Sequence, residues 1–254
     1  MKPGVKSGGG RLRASLNEIM ESIQGEGLLV GSRNIFVRFS GCNLRCSYCD
    51  TPSSLDRSDF CRFNPVCGGY GEWQQITNPL SVNEVIQLIS GFRSRWISLT
   101  GGEPLIWADF IAKLGGRLRP NGYRFLLETN GTLYEELTRC IEYMDLISMD
   151  YKLPSATGID CSQAHNEFLK QAKDKALYVK IVVDSNTETI EIRQALQIIV
   201  QKGRNTTLFL QPASPFGEIK SPPIRKLLDM QHYCLGMLDD VRILPQLHRQ
   251  LQLI

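Results

Sequence analysis

The sequence predicts an α/β fold in which parallel strands form an incomplete (β/α)6-type TIM barrel. Apolar, β-rich runs alternate along the chain with segments of helical spacing, which indicates about six βα units. Reactive and polar residues come directly after the predicted strands, as they do on the C-terminal face of a barrel. A chain of 254 residues with 42% hydrophobic residues can bury one sizeable core.

The predicted strands are short runs rich in branched and aromatic residues. They cover Ile35–Phe39, Trp96–Leu99, Tyr123–Leu127, Leu146–Met149, Tyr178–Val183, Thr207–Leu210 and Val241–Leu244. Two helices have clear end signals. Ser81 and Glu84 form a capping box at the start of one helix, which runs to Ile89. The other covers Thr189–Lys202 and is followed by Gly203, a typical residue at a helix C-terminus.

The chain is expected to hold one folded domain over residues 15–254. Residues 1–14 include three consecutive glycines and are predicted to be a flexible N-terminal tail. Pro52–Pro79 is rich in Gly, Pro, Asn and Asp and has no apolar periodicity. We interpret it as an elaborated loop insert at about residues 52–79, with short elements of its own.

Composition narrows the class of partner. A net charge of +3 is mild and does not indicate nucleic acid, although it allows a small anionic substrate. The sequence has no apolar stretch of about 20 residues to cross a membrane, and its N-terminus has no signal-like apolar segment. A cytoplasmic location is therefore expected. In that reducing compartment, the eight cysteines favour metal ligands, catalytic groups or buried side chains over disulfides.

Three cysteines follow the first predicted strand in the pattern Cys42-x3-Cys46-x2-Cys49. Thiolates suit both zinc and iron–sulfur clusters. Three thiolates on a four-iron cluster would leave one iron open to a further ligand. A structural zinc site would need a fourth ligand, such as Cys61, Cys67 or a histidine. A chance grouping of cysteines is the third possibility.

Two motifs resemble the radical S-adenosylmethionine superfamily. One is the cysteine pattern with Tyr48 before its last cysteine, and the other is Thr100-Gly-Gly-Glu-Pro104 after the next predicted strand. The resemblance implies a 4Fe-4S cluster whose open iron binds S-adenosyl-L-methionine. Cleavage of this cofactor would yield a radical that abstracts a hydrogen atom. The glycines also allow close backbone approach, and Glu103 offers an acceptor for an ammonium group.

Four sequence runs carry a narrower resemblance. They are Glu21-Ser-Ile-Gln-Gly-Glu-Gly27, Phe36-Val-Arg-Phe-Ser-Gly-Cys-Asn-Leu44, Cys49-Asp-Thr51 and Leu99–Pro104. In these runs the chain resembles the 7-carboxy-7-deazaguanine synthase family, and the resemblance covers the chain from about Leu16 onward. The resemblance implies a lyase that converts 6-carboxy-5,6,7,8-tetrahydropterin to 7-carboxy-7-deazaguanine with loss of ammonia. That product feeds queuosine and other 7-deazapurines.

The family resemblance also implies the site residues. Cys42, Cys46 and Cys49 would hold the cluster, and Thr51 would bind magnesium through a hard hydroxyl donor. By sequence alone, Thr51 and Pro52 simply form a turn. The substrate residues would be Gln24, Glu26, Gly27, Arg38, Thr100, His248 and the C-terminal Ile254. The residues for S-adenosylmethionine would be Tyr48, Gly101, Gly102, Glu103, Glu128, Asn130, Lys152 and Gln211.

Partners follow from the same resemblance. The family implies a homodimer, a pterin substrate and an electron donor such as flavodoxin or ferredoxin. Cys61 and Cys67 lie in the insert, either as free thiols or as a second metal site. His165 and His232 fall in helical segments and are predicted to lie on helix surfaces. A glycyl-radical-enzyme activase is the competing enzyme, and a zinc-binding interaction module is the competing non-enzyme.

Overall fold

A computed structural model describes residues 12–253. Ten of its twelve strands form one large sheet, and the other two form a small ribbon. The strands are β1 (Arg13–Ala14), β2 (Leu16–Ile23), β3 (Arg33–Phe39), β4 (Phe60–Asn64), β5 (Gln74–Thr77), β6 (Leu80–Ser81), β7 (Trp96–Gly101), β8 (Arg124–Thr129), β9 (Leu146–Asp150), β10 (Leu177–Val183), β11 (Leu208–Pro212) and β12 (Val241–Ile243). The large sheet has the order β12-β11-β10-β9-β8-β7-β3-β2-β4-β5.

Seven neighbouring strands of this sheet, β3 and β7 to β12, run parallel, as an incomplete barrel requires. The predicted fold class is thus confirmed, and all seven predicted strands are present. The helices are α1 (Val82–Ile89), α2 (Ala108–Leu118), α3 (Tyr134–Leu137), α4 (Pro154–Thr157), α5 (Ser162–Gln171), α6 (Thr189–Ile199), α7 (Ile224–Leu235) and α8 (Leu247–Gln250). Among the described residues, no helix is both long and apolar enough to span a membrane.

Helix α1 shows how local sequence fixes an element. Its predicted capping box is confirmed, because the Ser81 hydroxyl accepts from the Glu84 amide at 3.3 Å. In return, a Glu84 carboxylate oxygen accepts from the Ser81 amide at 2.7 Å. These two bonds satisfy amides that have no partner within the helix. The helix then buries Val82, Val85 and Ile89 against the sheet.

The apolar core has two parts. The larger part lies between the sheet and its helices. The smaller part is a cluster inside the barrel, formed by Leu126, Leu146, Tyr178 and Phe209. Side chains two positions apart on a strand share a face, so the residues two positions further along lie directly above this cluster. Those residues are Glu128, Ser148, Lys180 and Gln211. The small cluster therefore forms an apolar floor beneath a polar layer.

The predicted loop insert is more regular than its sequence suggests. It contributes β4, which pairs in parallel with β2, and β5, which pairs with β4. The insert thus widens the main sheet by two strands. Arg13–Ala14, at the end of the predicted tail, pair with Leu80–Ser81, so regular structure begins before residue 15. The rest of the predicted tail, residues 1–11, lies outside the described residues.

Candidate active site

A cavity of about 460 Å³ opens above the apolar floor, at the C-terminal ends of the parallel strands. It brings most of the predicted site residues together. On its wall lie Gln24, Glu26, Arg38, Cys42, Cys46, Tyr48, Cys49, Thr51, Thr100, Gly101, Gly102, Glu128, Asn130, Lys152, Gln211 and His248. Two predicted residues, Gly27 and Glu103, lie behind the wall instead. Ile254 lies outside the described residues.

Packing against Tyr178 leaves no room for a side chain at Gly27. Its φ is +61°, and a Cβ there would come 2.0 Å from the Tyr178 hydroxyl. Tyr178 belongs to the apolar floor. Gly27 therefore allows the loop after β2 to pack against the apolar floor. Gly27 itself does not line the cavity.

The three cysteines are free thiols on the loop after β3. Within residues 12–253, only Glu26, Asp50 and His248 bring three Asp, Glu, His or Cys ligand atoms within 4.8 Å of one another. The three cysteine sulfurs therefore do not all lie within 4.8 Å of one another. On one tetrahedral zinc, with Zn–S bonds of about 2.3 Å, they would lie about 3.8 Å apart. In the bare protein the sulfurs are thus not gathered as they would be around a single zinc ion.

Cys61 and Cys67 of the insert are free thiols. No described residues complete a compact ligand group around Cys61 or Cys67. Cys61 is fully buried, and burial raises the pKa of its thiol to about 12. It behaves as a small apolar core residue.

Two thiols of the cysteine loop need a nearby positive charge in order to ionise at neutral pH. Burial raises the pKa of Cys42, and it raises that of Cys46 to about 11. At neutral pH these side chains are therefore protonated in the bare protein. Bound iron would supply the positive charge that holds them as thiolates.

The glycine pair after β7 packs directly against this loop. The Gly102 amide donates to the Phe39 carbonyl at 3.0 Å, and the Glu103 amide donates to the Gly41 carbonyl at 2.8 Å. A Cβ at Gly102 would lie 2.2 Å from the Gly41 carbonyl oxygen. Only glycine allows the two backbones to approach so closely.

The Glu103 side chain does not face the cavity. It is fully buried, and its carboxylate accepts from the Leu105 amide at 3.0 Å, the Thr129 hydroxyl at 2.7 Å and the Asn130 amide at 2.8 Å. Burial raises the pKa of Glu103 to about 7, although these hydrogen bonds act to lower it. The expected ammonium acceptor is thus occupied in joining the end of β7 to the end of β8.

A closed ring of hydrogen bonds ties the cysteine loop to the end of β8. Asn130 donates to the Asn43 side chain at 2.9 Å, and Asn43 donates to the Thr132 hydroxyl at 2.7 Å. The Thr132 hydroxyl completes the ring by donating to Asn130 at 2.6 Å. Asn43 lies between the first two cysteines, so this ring fixes the cluster loop relative to β8.

His165 is not on a helix surface, as the sequence suggested, but fully buried. Its Nε2 lies 3.0 Å from the Asn130 carbonyl oxygen, and its ring lies 4.1 Å from that of Tyr151. A carbonyl can only accept, so Nε2 carries the proton. Nδ1 has no partner among the described residues. Burial lowers the pKa of His165 to about 4, and the ring stays neutral.

The neutral His165 predicts an acid-sensitive fold. The folded-state pKa lies below the usual 6.5, so this contribution to stability is present above pH 6.5 and lost as the pH falls towards 4. We expect a loss of about 3 kcal/mol over that window. Urea unfolding of wild type and His165→Gln across pH 7 to 4 measures it. A pH dependence that is equally steep in the variant would contradict the assignment.

The polar layer is organised by Lys180, which sequence reasoning did not select. Its ammonium lies 2.6 Å from a Glu26 carboxylate oxygen and 3.2 Å from one of Asp150. Asp150 also pairs with Lys152 at 2.9 Å. Burial would raise the pKa of both carboxyls, but the lysines outweigh it and hold both below the usual range. A lysine within the apolar strand Leu177–Val183 was the available signal.

Gln246 joins the C-terminal segment to this layer. Its amide nitrogen donates to Glu26 and to Asp50, both at 2.8 Å. Desolvation acts to raise the pKa of Asp50, but Gln246 and Lys180 lower it to about 2. The Thr51 hydroxyl donates to the other Asp50 oxygen at 3.0 Å. Two carboxylates are thus held ionised beside the predicted magnesium ligand.

His248 approaches the same carboxylates from α8. It packs so tightly on Gly25 that a Cβ there would come 2.2 Å from its Nδ1. Glu26, Asp50 and His248 form the compact ligand group noted above, yet both Glu26 oxygens already accept hydrogen bonds. Oε1 of Glu26 accepts from Gln211 and Gln246, and Oε2 accepts from Lys180, so a further N–H donor would have to bind Oε2.

Arg38, one of the predicted substrate residues, is paired within the protein. Its Nε lies 3.4 Å from a Glu18 carboxylate oxygen, and Glu18 is 5% exposed. On the other side of Glu18 lies Arg62 of the insert, at 3.7 Å. All three side chains line the cavity.

Comparisons with known proteins agree with this geometry. Residues 36–157 match the model of the radical SAM superfamily. The chain is 38% identical over 243 residues to 7-carboxy-7-deazaguanine synthase of Geobacter sulfurreducens, covering 93% of this chain and 96% of the relative. It is 33% identical over 252 residues to the synthase of Methanocaldococcus jannaschii, covering 94% and 100%. The fold is similar to a crystal structure of QueE from Escherichia coli, with a TM-score of 0.63, 22% identity and coverage of 93% and 95%. The chain therefore belongs to the 7-carboxy-7-deazaguanine synthase family of radical S-adenosylmethionine enzymes.

Proposed function

We propose that this chain is a lyase that converts 6-carboxy-5,6,7,8-tetrahydropterin to 7-carboxy-7-deazaguanine with release of ammonia. The observation that carries the proposal is one cavity that combines three free thiols, a tight glycine turn and a charged polar layer. A zinc-binding module is not favoured, because the relatives that match over most of the chain are named as 7-carboxy-7-deazaguanine synthases. A glycyl-radical-enzyme activase would have no use for the Gln24, Glu26 and Arg38 set.

Cys42, Cys46 and Cys49 would hold the 4Fe-4S cluster. When bound, the cluster would supply the electron for radical chemistry with S-adenosylmethionine. The other residues around the cluster site fix the position of the cysteine loop. Gly102 keeps the backbone after β7 against the cysteine loop, and the Asn43–Asn130–Thr132 ring fixes that loop on the other side.

The polar layer would recognise the pterin. Lys180 keeps Glu26 ionised, so that its carboxylate can accept N–H groups from an aminopyrimidinone edge. Gln24 donates to the Glu128 carboxylate at 2.6 Å and accepts from the Glu26 backbone amide at 3.1 Å, which fixes the Glu128 side chain and the Glu26 backbone. Arg38 would form the fork for the substrate carboxylate.

We infer that magnesium binds beside Thr51. Its hydroxyl lines the cavity next to Asp50, and a hard oxygen donor beside an ionised carboxylate suits Mg²⁺. A cation there would orient substrate oxygens and stabilise negative charge during ring contraction. A one-electron donor such as flavodoxin or ferredoxin, a homodimeric state and a cytoplasmic location complete the proposal.

The Thr51→Ala variant is expected to separate two functions. It should keep the cluster and S-adenosylmethionine binding, because those contacts come from the cysteines and the glycine turn. It should lose most turnover and its response to added magnesium. Iron content, cofactor binding and turnover over a magnesium titration measure these properties. A variant with wild-type turnover and magnesium dependence would place the metal elsewhere.

The direct test is anaerobic incubation with the carboxy-tetrahydropterin, S-adenosylmethionine, a reductant and magnesium. We expect 7-carboxy-7-deazaguanine and ammonia in equal amounts. A brown, iron-rich and sulfide-rich protein that leaves the pterin unchanged would overturn the substrate assignment but not the cluster. A colourless protein that contains only zinc would overturn both.

A further inference from the structure

The insert contributes directly to the cavity wall. Strands β4, β2, β3 and β7 lie side by side, and their registers align four residues in one row. Arg62 is opposite Glu18, Glu18 is opposite Arg38, and Arg38 is opposite Thr100. All four side chains line the cavity. The row therefore extends the expected substrate-binding wall onto a strand of the insert.

Arg62 is held in place within this row. Its guanidinium lies 4.1 Å from the ring centroid of Trp73, which the insert also supplies. It also lies 3.7 Å from a Glu18 carboxylate oxygen. The side chain is 47% exposed, so part of it stays open to a ligand. Stacking on an aromatic face leaves the in-plane N–H donors of a guanidinium free.

The charges of the row favour an anion. Arg38 and Arg62 carry two positive charges, and Glu18 carries one negative charge between them. Elsewhere on the wall, Lys180 and Lys152 are paired with carboxylates. Arg249 also lines the cavity, but it donates to the Gln246 side chain. The Arg38–Glu18–Arg62 row itself thus carries one net positive charge, and Asp50 on the same wall also interacts with Arg38.

We propose that Arg62 is a specificity-determining residue, which supplies a second guanidinium to the carboxylate of the substrate beside Arg38. This inference rests on the proposed function and assigns a role to the insert. Two guanidinium groups on one carboxylate select a carboxylated pterin over the same ring without that group. A charge-assisted hydrogen bond from a partly exposed guanidinium corresponds to roughly a tenfold difference in affinity.

The experiment measures ligand binding by the cluster-loaded protein with S-adenosylmethionine and without reductant. Two fluorescent, non-reacting probes are titrated, 6-carboxypterin and pterin. We expect Arg62→Gln to weaken 6-carboxypterin about tenfold and to leave pterin unchanged. Arg62→Lys keeps the charge but loses the paired N–H donors of the guanidinium. Its affinity for 6-carboxypterin should therefore lie between that of wild type and that of Arg62→Gln. Arg57→Gln is the matched control, because Arg57 is an exposed arginine of the insert outside the cavity wall.

The outcomes separate this inference from the proposed function. Wild-type protein that binds neither probe would overturn the pterin assignment itself. Wild-type binding with unchanged 6-carboxypterin affinity in Arg62→Gln would overturn only the role of Arg62. Equal weakening of both probes would show that Arg62 acts structurally, and that result also overturns the inference. If Arg62→Gln does not fold, Arg62→Lys provides the test. Weaker binding of 6-carboxypterin with unchanged binding of pterin would support the inference, and any other result would overturn it.

Discussion

Replacing Cys42, Cys46 or Cys49 with Ala is expected to reduce product formation to background. Each change removes one of three thiols on the loop after β3, and two thiolates cannot hold a four-iron cluster against loss. The backbone bonds of the loop, such as that from the Cys42 amide to the Leu55 carbonyl, are independent of the sulfurs. The protein should therefore remain folded while it loses iron and sulfide. Iron and sulfide analysis, together with circular dichroism, measures both properties.

Cys61→Ala and Cys67→Ala are the matched controls. Both positions lie in the insert, and neither belongs to a compact ligand group. We expect unchanged iron content in both variants, and a modest loss of stability for Cys61→Ala, whose side chain is fully buried. Iron that persists in all three loop variants, or iron lost in a control, would mean that other residues hold the cluster.

The largest effect on stability is expected from Lys180→Met. The change removes the cation between Glu26 and Asp150 and leaves two carboxylates inside the cavity wall with weaker compensation. Breaking a buried pair by removing one partner typically costs about 3–5 kcal/mol. For a chain of this size, that corresponds to a fall of roughly 10 °C in Tm. Pterin binding should fall as well, because burial would then raise the pKa of Glu26 towards its neutral form.

Lys170→Met provides the comparison. Lys170 pairs with Glu167 at 2.7 Å, but both side chains are solvent-exposed on α5. Such surface pairs contribute about 0–1 kcal/mol, so this variant should melt close to wild type. Thermal unfolding of both variants at pH 7 makes the measurement. Equal melting temperatures for the two would show that the charges around Lys180 are well solvated.

The parallel strands could be predicted because each is a mainly apolar run rich in branched and aromatic residues, but β2 could not. In Leu16–Ile23 the apolar residues are Leu16, Ile19, Met20 and Ile23, which is the spacing of a helix. The segment is nevertheless an almost fully buried strand, with an irregularity in its pairing near Leu16. Its polar side chains are satisfied by partners distant in sequence. Glu21, for example, accepts from the Ser94 amide at 2.6 Å. Tertiary contacts override the local pattern here.

The sequence motifs point to the cysteines and glycines of the candidate site, but not to the side chains that surround them. Cysteines and a glycine pair have local motifs, whereas Lys180, Gln246 and Arg62 act through contacts between distant segments. His165 was misplaced for the same reason, since nothing near it in sequence indicates its bond to Asn130. Glu103 was expected in the cavity, and only the structure shows its carboxylate turned towards β8.

Because the barrel is incomplete, the large sheet ends in β5 on one side and β12 on the other. An open sheet edge is a template on which another chain can aggregate. Here β12 has only three residues, and the exposed Arg242 lies at its centre. The four residues of β5 include Gln74, Gln75 and Thr77, all polar and exposed. Short length, a charged residue and polar side chains thus protect the two edges against self-association. The barrel can therefore stay open without exposing an aggregation-prone edge strand.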